Sequence, residues 1–200
     1  MKQKELERLL QKVPSHPSPQ AALEQYMTPA PAAASALFFA AQYGDITGKR
    51  VADLACGTGI LAIGAKLLGA SEVLGIDVDE GSVEIARRFA RDGGLKLTLE
   101  VGDIGAFHGE VDTVVMNPPF GAQKRHADRP FLEKAFEVAR VVYSFHLADT
   151  ADWVRREASG AGFTITHKNK YIFAIRHLFD FHRKERHDID VLLFRMESGR

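Results

Sequence analysis

The 200-residue sequence has one cysteine, Cys56, so it can form neither an internal disulfide nor a cysteine-based zinc site. It also lacks a charge excess, because 26 Lys and Arg residues balance 26 Asp and Glu residues, so composition leaves the partner open and a nucleic-acid-binding surface would have to be local. The first twelve residues alternate charge with leucine, unlike a signal peptide, and the longest weakly polar run, residues 29–42, is shorter than a membrane span. We therefore expect a cytoplasmic protein with no membrane segment.

The sequence divides into a short N-terminal part and one main domain. Leu6, Leu9 and Leu10 have helical spacing, and three prolines follow within residues 14–19. This pattern predicts an N-terminal helix and an extended link over residues 1–19. The main domain is predicted over residues 20–200, and the hydrophobic content of the whole sequence, 46%, suffices for one buried core.

Short apolar segments alternate with helical patterns along the main domain. Strands are predicted at residues 50–54, 72–76, 97–101, 113–116 and 141–145, and helices at residues 32–43, 60–68, 80–90, 130–139 and 149–159. Further strands are predicted at residues 163–166, 171–175 and 189–194, separated by polar or basic connections. This order predicts an α/β, doubly wound, Rossmann-like fold whose mostly parallel sheet is closed by antiparallel C-terminal strands.

The first candidate ligand-binding element follows the first predicted strand. Asp53 lies near the end of that strand, and the turn over residues 55–59 contains Gly57 and Gly59 before a helix begins. Glycines allow the backbone to approach a ligand, and the helix N-terminus offers free N–H groups. A bare Gly-x-Gly is equally compatible with a structural turn.

Acidic residues follow the next two predicted strands. Asp77 can bind ribose hydroxyls, while Asp103 can accept a hydrogen bond from an adenine amino group and Ile104 can cover the ring. Asp79 is predicted to be the N-cap of the following helix. Because these features meet at the carboxyl ends of parallel strands, they predict a nucleotide-like cofactor, with NAD and S-adenosylmethionine (SAM) both still open.

The fourth predicted strand runs directly into Asn117, Pro118, Pro119 and Phe120. An exocyclic amine on a base is a poor nucleophile, and the Asn117 side-chain oxygen and the Pro118 carbonyl can accept its two hydrogens and orient it. The prolines remove two backbone donors, and Phe120 can stack on a base taken out of its helix. The alternative is a turn with a core aromatic, which the three preceding elements disfavour.

Together these residues resemble class I SAM-dependent methyltransferases, and residues 117–120 match the Asn-Pro-Pro-aromatic signature of amino-methylating members. Residues 23–29, 51–54, 116–121, 181–184 and 188–191 are similar to a methyltransferase-like family of archaea and eukaryotes. Its human member methylates adenine N6 in small-subunit ribosomal RNA. The resemblance spans about residues 20–196.

The resemblance implies residue roles. The implied catalytic residues are Asn117, Pro118, Pro119 and Phe120. The implied cofactor-binding set is Gln25, Tyr26, Thr28, Asp53, Ala55, Gly57, Thr58, Gly59, Ile60, Asp77, Asp103, Ile104 and Asn117. Ala55 departs from the family, which commonly has glycine there, and the loop over residues 123–126 differs from the eukaryotic pattern. The eukaryotic members also imply a partner, a small zinc-containing activator protein that pairs with a sheet edge.

A local basic segment lies between residues 167 and 187, where phenylalanines alternate with basic residues, and further basic residues follow the Asn-Pro-Pro-Phe motif. This combination suits phosphate contact and base stacking. The predicted RNA-binding residues are Lys124, Arg125, Lys168, Lys170 and Lys184. The alternative is a solvated basic edge. His177, His182 and His187 lack metal-ligand spacing, so no metal is predicted, and Cys56 is interpreted as a packing residue.

The sequence therefore predicts an enzyme, a SAM-dependent methyltransferase acting on adenine N6 of RNA, with ribosomal RNA of the small subunit as the expected substrate. Guanine N2 in RNA, adenine in DNA and glutamine in protein are alternative amine substrates for the same motif. A hypothesis of a different class is a catalytically silent SAM-binding scaffold subunit.

Overall fold

The structure, a computed structural model, describes residues 1–20, 24, 26–121, 126–176 and 186–199. It contains a seven-stranded sheet with the order β3-β2-β1-β4-β5-β7-β6. The strands are β1 (Arg50–Leu54), β2 (Glu72–Asp77), β3 (Thr98–Val101), β4 (Val111–Met116), β5 (Ala139–Leu147), β6 (Phe163–Arg176) and β7 (Arg186–Ser198). The first five are parallel, and β7 lies antiparallel to both β5 and β6. The predicted α/β class and its antiparallel C-terminal closure are confirmed.

Two apolar layers cover the sheet, because successive residues of a strand point to opposite faces. Val51 of β1 belongs to the core on one face and Ala52 to the core on the other. The helices are α1 (Gln3–Leu10), α2 (Ala30–Gln42), α3 (Ile60–Leu67), α4 (Glu80–Asp92), α5 (Arg129–Val138) and α6 (Ala151–Gly160). Helices α1 to α4 supply the first core, and α5 and α6 supply the second. In the described part of the chain, no helix is long and apolar enough to cross a membrane.

Helix α1 packs closely on the main body. Leu6 and Leu10 are fully buried, and the absence of a side chain at Gly64 in α3 makes room for Leu10 and Leu37. A Cβ at Gly64 would lie 2.3 Å from Leu37 Cδ1 and 3.4 Å from Leu10 Cδ1. The segment after α1 is consequently held beside the carboxyl edge of the sheet. A boundary at residue 20 stays a prediction.

The C-terminal strands differ from the sequence prediction in one respect. Residues 163–166 and 171–175 were predicted as two strands with a polar connection, but they form the continuous strand β6, with a register shift between Ile165 and His167. The reason is that β6 is an edge strand, so Lys168 and Lys170 project to solvent without interrupting it. The prediction of a connection there was wrong.

A buried polar cluster joins the last strands to the loop before β1. Asp45 Oδ2 accepts hydrogen bonds from the Tyr143 hydroxyl at 2.6 Å and from Arg195 Nε at 2.9 Å. All three side chains are buried, and burial together with Asp45 raises the pKa of Tyr143 well above its ordinary value. This cluster fixes β5 and β7 relative to β1, and with them the sheet edge that carries the site.

Candidate functional site

A cavity of about 480 Å³ lies where the loops after β1, β2, β3 and β4 meet. Every described residue of the predicted cofactor-binding set except Gly59 lines it. Those residues are Tyr26, Thr28, Asp53, Ala55, Gly57, Thr58, Ile60, Asp77, Asp103, Ile104 and Asn117. Gln25 lies outside the described residues. The structure thus brings together side chains that are up to 91 positions apart, from Tyr26 to Asn117, because parallel strands end at one edge.

The turn after β1 has a left-handed backbone at three positions. The φ angles are +65° at Ala55, +51° at Gly57 and +84° at Gly59. Ala55 is thus a non-glycine residue held in a conformation that L-residues disfavour. Gly59 serves packing, since a Cβ there would lie 2.9 Å from the Cβ of Ala86 in α4.

Asp53 is a buried carboxyl at the base of the cavity. Its Oδ2 accepts a hydrogen bond from the backbone N–H of Ala62 at 2.9 Å, in the first turn of α3. Its Oδ1 is buried and has no hydrogen-bond partner among the described residues. Burial raises the pKa of Asp53 to about 8. A buried carboxyl oxygen of this kind is suited to a polar ligand group that forms the missing hydrogen bond.

Asp77 organises the turn as well as facing the cavity. Its Oδ2 accepts from the backbone N–H of Gly57 at 2.8 Å, and its Oδ1 accepts from the backbone N–H of Asp79 at 2.9 Å. Burial raises the pKa of Asp77, and the two backbone hydrogen bonds oppose that shift. The predicted N-cap role of Asp79 is confirmed, because its Oδ1 accepts from the backbone N–H of Ser82 at 2.6 Å.

Asp103 and Ile104 form the wall contributed by the loop after β3. Asp103 Oδ1 accepts from the backbone N–H of Gly105 at 2.8 Å, which fixes the carboxylate at the start of a short 3₁₀ helix, Ile104–Ala106. Ile104 is buried while still lining the cavity. The pair therefore offers an acceptor beside an apolar surface, the combination that an adenine ring with its amino group requires.

Asn117 stands where β4 ends. Its Nδ2 donates to the Thr28 hydroxyl at 3.0 Å, and its Oδ1 is buried without a partner among the described residues. Pro119 also lines the cavity, and Pro118 is buried. Phe120 packs against the core beside Phe173 of β6, with ring centroids 6.3 Å apart. The four predicted catalytic residues thus present one oriented acceptor and one aromatic surface.

Several wall residues were not found from the sequence. Glu24 is buried, and its Oε2 accepts from the backbone N–H of Gly121 at 3.0 Å, so the segment before α2 is fastened directly to the loop after the motif. Burial and the Glu24 carboxylate both raise the pKa of Tyr26. His16, Ala127 and Phe131 also line the cavity. Their residue types carry no chemical signature, and only tertiary packing brings them to the wall.

Cys56 and the predicted RNA-binding lysines occupy different surroundings. Cys56 is a buried residue of the turn that also lines the cavity, and burial raises the pKa of its thiol, which agrees with a packing role. Lys168 and Lys170 are exposed on β6, and Lys170 Nζ lies 2.7 Å from Asp190 Oδ2 of β7. Lys124, Arg125 and Lys184 lie outside the described residues.

The cavity suits SAM in size and in the polar and apolar groups that line it. Its volume suits a ligand of this class. The unpartnered oxygens of Asp53 and Asn117 provide acceptors, Asp77 lies at the end of β2 and Ile104 supplies an apolar wall. Gly57 adds no side chain to the cavity, and a Cβ there would contact no atom within 4 Å.

Comparison with known proteins agrees with this geometry. A family model described as ribosomal protein L11 methyltransferase (PrmA) matches residues 33–121. An uncharacterised protein of Methanocaldococcus jannaschii is 40% identical over 99% of this chain and 95% of its own length. The rRNA N(6)-adenosine-methyltransferase METTL5 of Danio rerio is 35% identical over 96% of each chain. The crystal structure of a protein from Pyrococcus horikoshii matches with a TM-score of 0.93 at 42% identity, covering 99% of this chain and 98% of that one.

The fold and the site define a class I SAM-dependent methyltransferase. The cavity lies at the carboxyl ends of the strands, where open α/β sheets bind their ligands. Within the class, the chain belongs to the METTL5 family of methyltransferases.

Proposed function

We propose that the protein transfers a methyl group from SAM to N6 of an adenine in RNA, and that the RNA is that of the small ribosomal subunit. The Danio rerio and Drosophila melanogaster relatives are both named rRNA N(6)-adenosine-methyltransferases, and the Pyrococcus horikoshii protein is described as a candidate RNA methyltransferase. The observation that carries the proposal is the buried, unpartnered Oδ1 of Asn117 at the cavity wall. A cytoplasmic location belongs to the same proposal.

The chemistry assigned to Asn117 is orientation of the target amine. The amine lone pair is delocalised into the base, so the nitrogen reacts only when it is held in line with the methyl group. When bound, SAM supplies that methyl group as an electrophile on a sulfonium. Asn117 Oδ1 accepts one amine hydrogen and the Pro118 carbonyl accepts the other, and both acceptors stabilise the positive charge that develops on nitrogen. Thr28 keeps the amide in the required orientation by accepting from Nδ2.

Phe120 is assigned to the base itself. An adenine inside a duplex cannot reach the cavity, so the target must be single-stranded or extruded. Phe120 is only partly buried, and its far side is supported by Phe173, which in turn packs on Phe145 at 5.4 Å between ring centroids. A stacking surface supported from behind loses little conformational entropy when a base binds.

We assign binding of the RNA backbone to the hairpin that β6 and β7 form. β5 pairs with β7 only as far as Val191, whereas β6 and β7 continue pairing to Arg176 and Arg186. The hairpin therefore extends past the end of β5, at the edge of the sheet where Phe120 lies. Lys168, Lys170 and Lys184, with Lys124 and Arg125, are proposed to contact phosphates. The exposed Lys170–Asp190 pair is weak enough to exchange for a phosphate.

The zinc-containing activator also stays a proposal. β3 is one edge of the described sheet and β6 is the other. An activator that adds a strand needs one of these edges. Since β6 extends past the catalytic edge, β3 is the edge we propose for it.

Incubation with methyl-labelled SAM and ribosomal RNA, DNA or protein, followed by nucleoside and amino-acid analysis, tests the function. We expect label in N6-methyladenosine from small-subunit RNA, and none with Asn117→Ala. Label in N2-methylguanosine, in DNA or in glutamine would replace the proposed substrate with one of the alternatives. Absence of label from every fraction, with SAM still bound, would favour the silent scaffold.

A further inference from the structure

A second buried polar group lies beside the cavity and takes no part in the proposed chemistry. His146 of β5 lies between two partners: its Nδ1 is 2.8 Å from Asp128 Oδ2, and its Nε2 is 2.7 Å from Ser144 Oγ. Asp128 is 3% exposed, and Ser144 and His146 are 0% exposed. The order Ser–His–Asp is that of a hydrolytic triad, but no substrate can reach a fully buried serine. The arrangement is therefore structural or positioning.

The proton positions follow from the chemistry of the partners. A carboxylate only accepts hydrogen bonds, so Nδ1 of His146 carries a hydrogen and donates to Asp128. In the neutral ring Nε2 then accepts from the hydroxyl of Ser144, two residues back on the same strand. The hydrogen bond with Ser144 thus fixes the His146 ring on β5, and the hydrogen bond with Asp128 holds that residue at the start of α5.

The residue two positions before Asp128 is held independently. His126 stacks on Trp153 of α6, with ring centroids 4.6 Å apart and planes 28° from parallel. Its φ is +58°, a left-handed conformation that a non-glycine residue keeps only when its surroundings enforce it. Trp153 also meets the edge of the His146 ring at 6.2 Å. His126, Asp128, His146 and Trp153 form one connected group, which we name the wall clamp.

The wall clamp holds the residues on both sides of a residue that lines the cavity. Ala127, between His126 and Asp128, lines the cavity, and so does Phe131 one turn further along. The backbone N–H of Leu132 donates to the Asp128 carbonyl, which continues the clamped segment directly into α5. We propose that His146 and Trp153 are positioning residues that hold Ala127 and Phe131 as a preformed wall for the methyl donor. They act through Asp128 and His126 and do not touch the reacting atoms.

The test is the dissociation constant of S-adenosylhomocysteine, measured by calorimetry on the full chain. His146→Leu keeps an apolar side chain of similar size but removes the donor to Asp128, and we expect the constant to rise at least tenfold. His146→Asn restores a donor near the Nδ1 position and should recover to within threefold of the parent. His126→Gly keeps the left-handed backbone without strain but loses the stack on Trp153, and we expect at least a threefold rise.

Val154→Ala is the matched control, because Val154 is fully buried beside Trp153 but outside the wall clamp. It should lower the unfolding temperature while leaving the dissociation constant within threefold. The proposal is overturned if His146→Leu and His126→Gly both bind like the parent, or if Val154→Ala weakens binding as much as they do. The inference rests on the proposed function for the identity of the ligand only. Binding is read without RNA, so a failed methylation assay leaves this test intact.

Discussion

Replacing Thr28 with valine tests whether the orientation of Asn117 contributes to methyl transfer. Valine has the shape of threonine without the hydroxyl, so it removes the acceptor for Asn117 Nδ2 at 3.0 Å and leaves the buried packing in place. The Asn117 amide then loses the contact that aims Oδ1 at the target amine. We expect methyl transfer to slow while the protein stays folded.

The magnitude follows from the single hydrogen bond involved. One such bond contributes about 1 kcal/mol net, which corresponds to roughly fivefold in rate. Asn117→Ala removes the accepting oxygen itself, and loss of a group that stabilises developing charge costs on the order of 100-fold or more. Thr28→Val should therefore lower kcat roughly fivefold and Asn117→Ala far more. The contrast separates an orienting residue from the acceptor it orients.

Single-turnover methylation of the RNA substrate at saturating SAM measures this effect, with S-adenosylhomocysteine binding measured in parallel. Thr28→Ser is the control, because it keeps the hydroxyl and should retain most of the rate. The reasoning is refuted if serine loses as much rate as valine, since a methyl group would then matter and the hydrogen bond would not. An unchanged rate in Thr28→Val would refute it equally.

Three further predictions concern β1 and the turn that follows it, and thermal unfolding measures each. Ala55→Gly relieves the left-handed strain at φ +65°, although the unfolded chain gains conformational entropy from the glycine. The net effect should be a rise in stability of roughly 0.8 kcal/mol, or roughly 2 °C in Tm. A lower Tm would contradict this. Gly59→Ala combines φ +84° with a 2.9 Å contact to the Ala86 Cβ and should cost about 2 kcal/mol, and Ala86→Gly in the same chain should restore only the packing part. The pKa of Asp53 in the folded protein, about 8, lies above its unfolded value. The stability that Asp53 contributes is therefore present at low pH and lost as pH rises from about 4 through 8. The Tm of Asp53→Asn should accordingly rise relative to that of the parent between pH 5.5 and pH 8.5, and a constant difference in Tm would contradict this.

The sequence predicts which residues meet at the cavity, and the reason is physical. Buried parallel strands are short and apolar, so their ends are visible in the sequence, and a parallel sheet brings those ends to one edge. Four polar residues lie at or just after the ends of such strands and all line the cavity: Asp53, Asp77, Asp103 and Asn117. Local chemistry and global topology point to the same place, and the prediction requires no knowledge of side-chain packing.

The parts that the sequence does not predict depend on contacts between distant segments. Glu24 reaches Gly121, and Asp128 reaches His146, with no spacing rule that relates the two members of either pair. The single strand β6 was missed because exposed lysines on an edge strand have the composition of a loop. Gly59 was correctly placed in the turn, but the contact that excludes a side chain there is made by Ala86, 27 residues later in the chain.

The place of β7 in the sheet has a consequence for how the edge strand β6 is attached. β7 follows β6 along the chain, yet it lies between β5 and β6, so β6 joins the sheet only through β7. All cavity-lining residues lie between His16 and Phe131, whereas Phe173, which supports Phe120, belongs to β6. Loss of the pairing between β5 and β7 would therefore separate Phe120 from Phe173, although no described residue that lines the cavity belongs to β6 or β7. The support for the base and the lining of the cofactor cavity thus depend on different strands of one sheet.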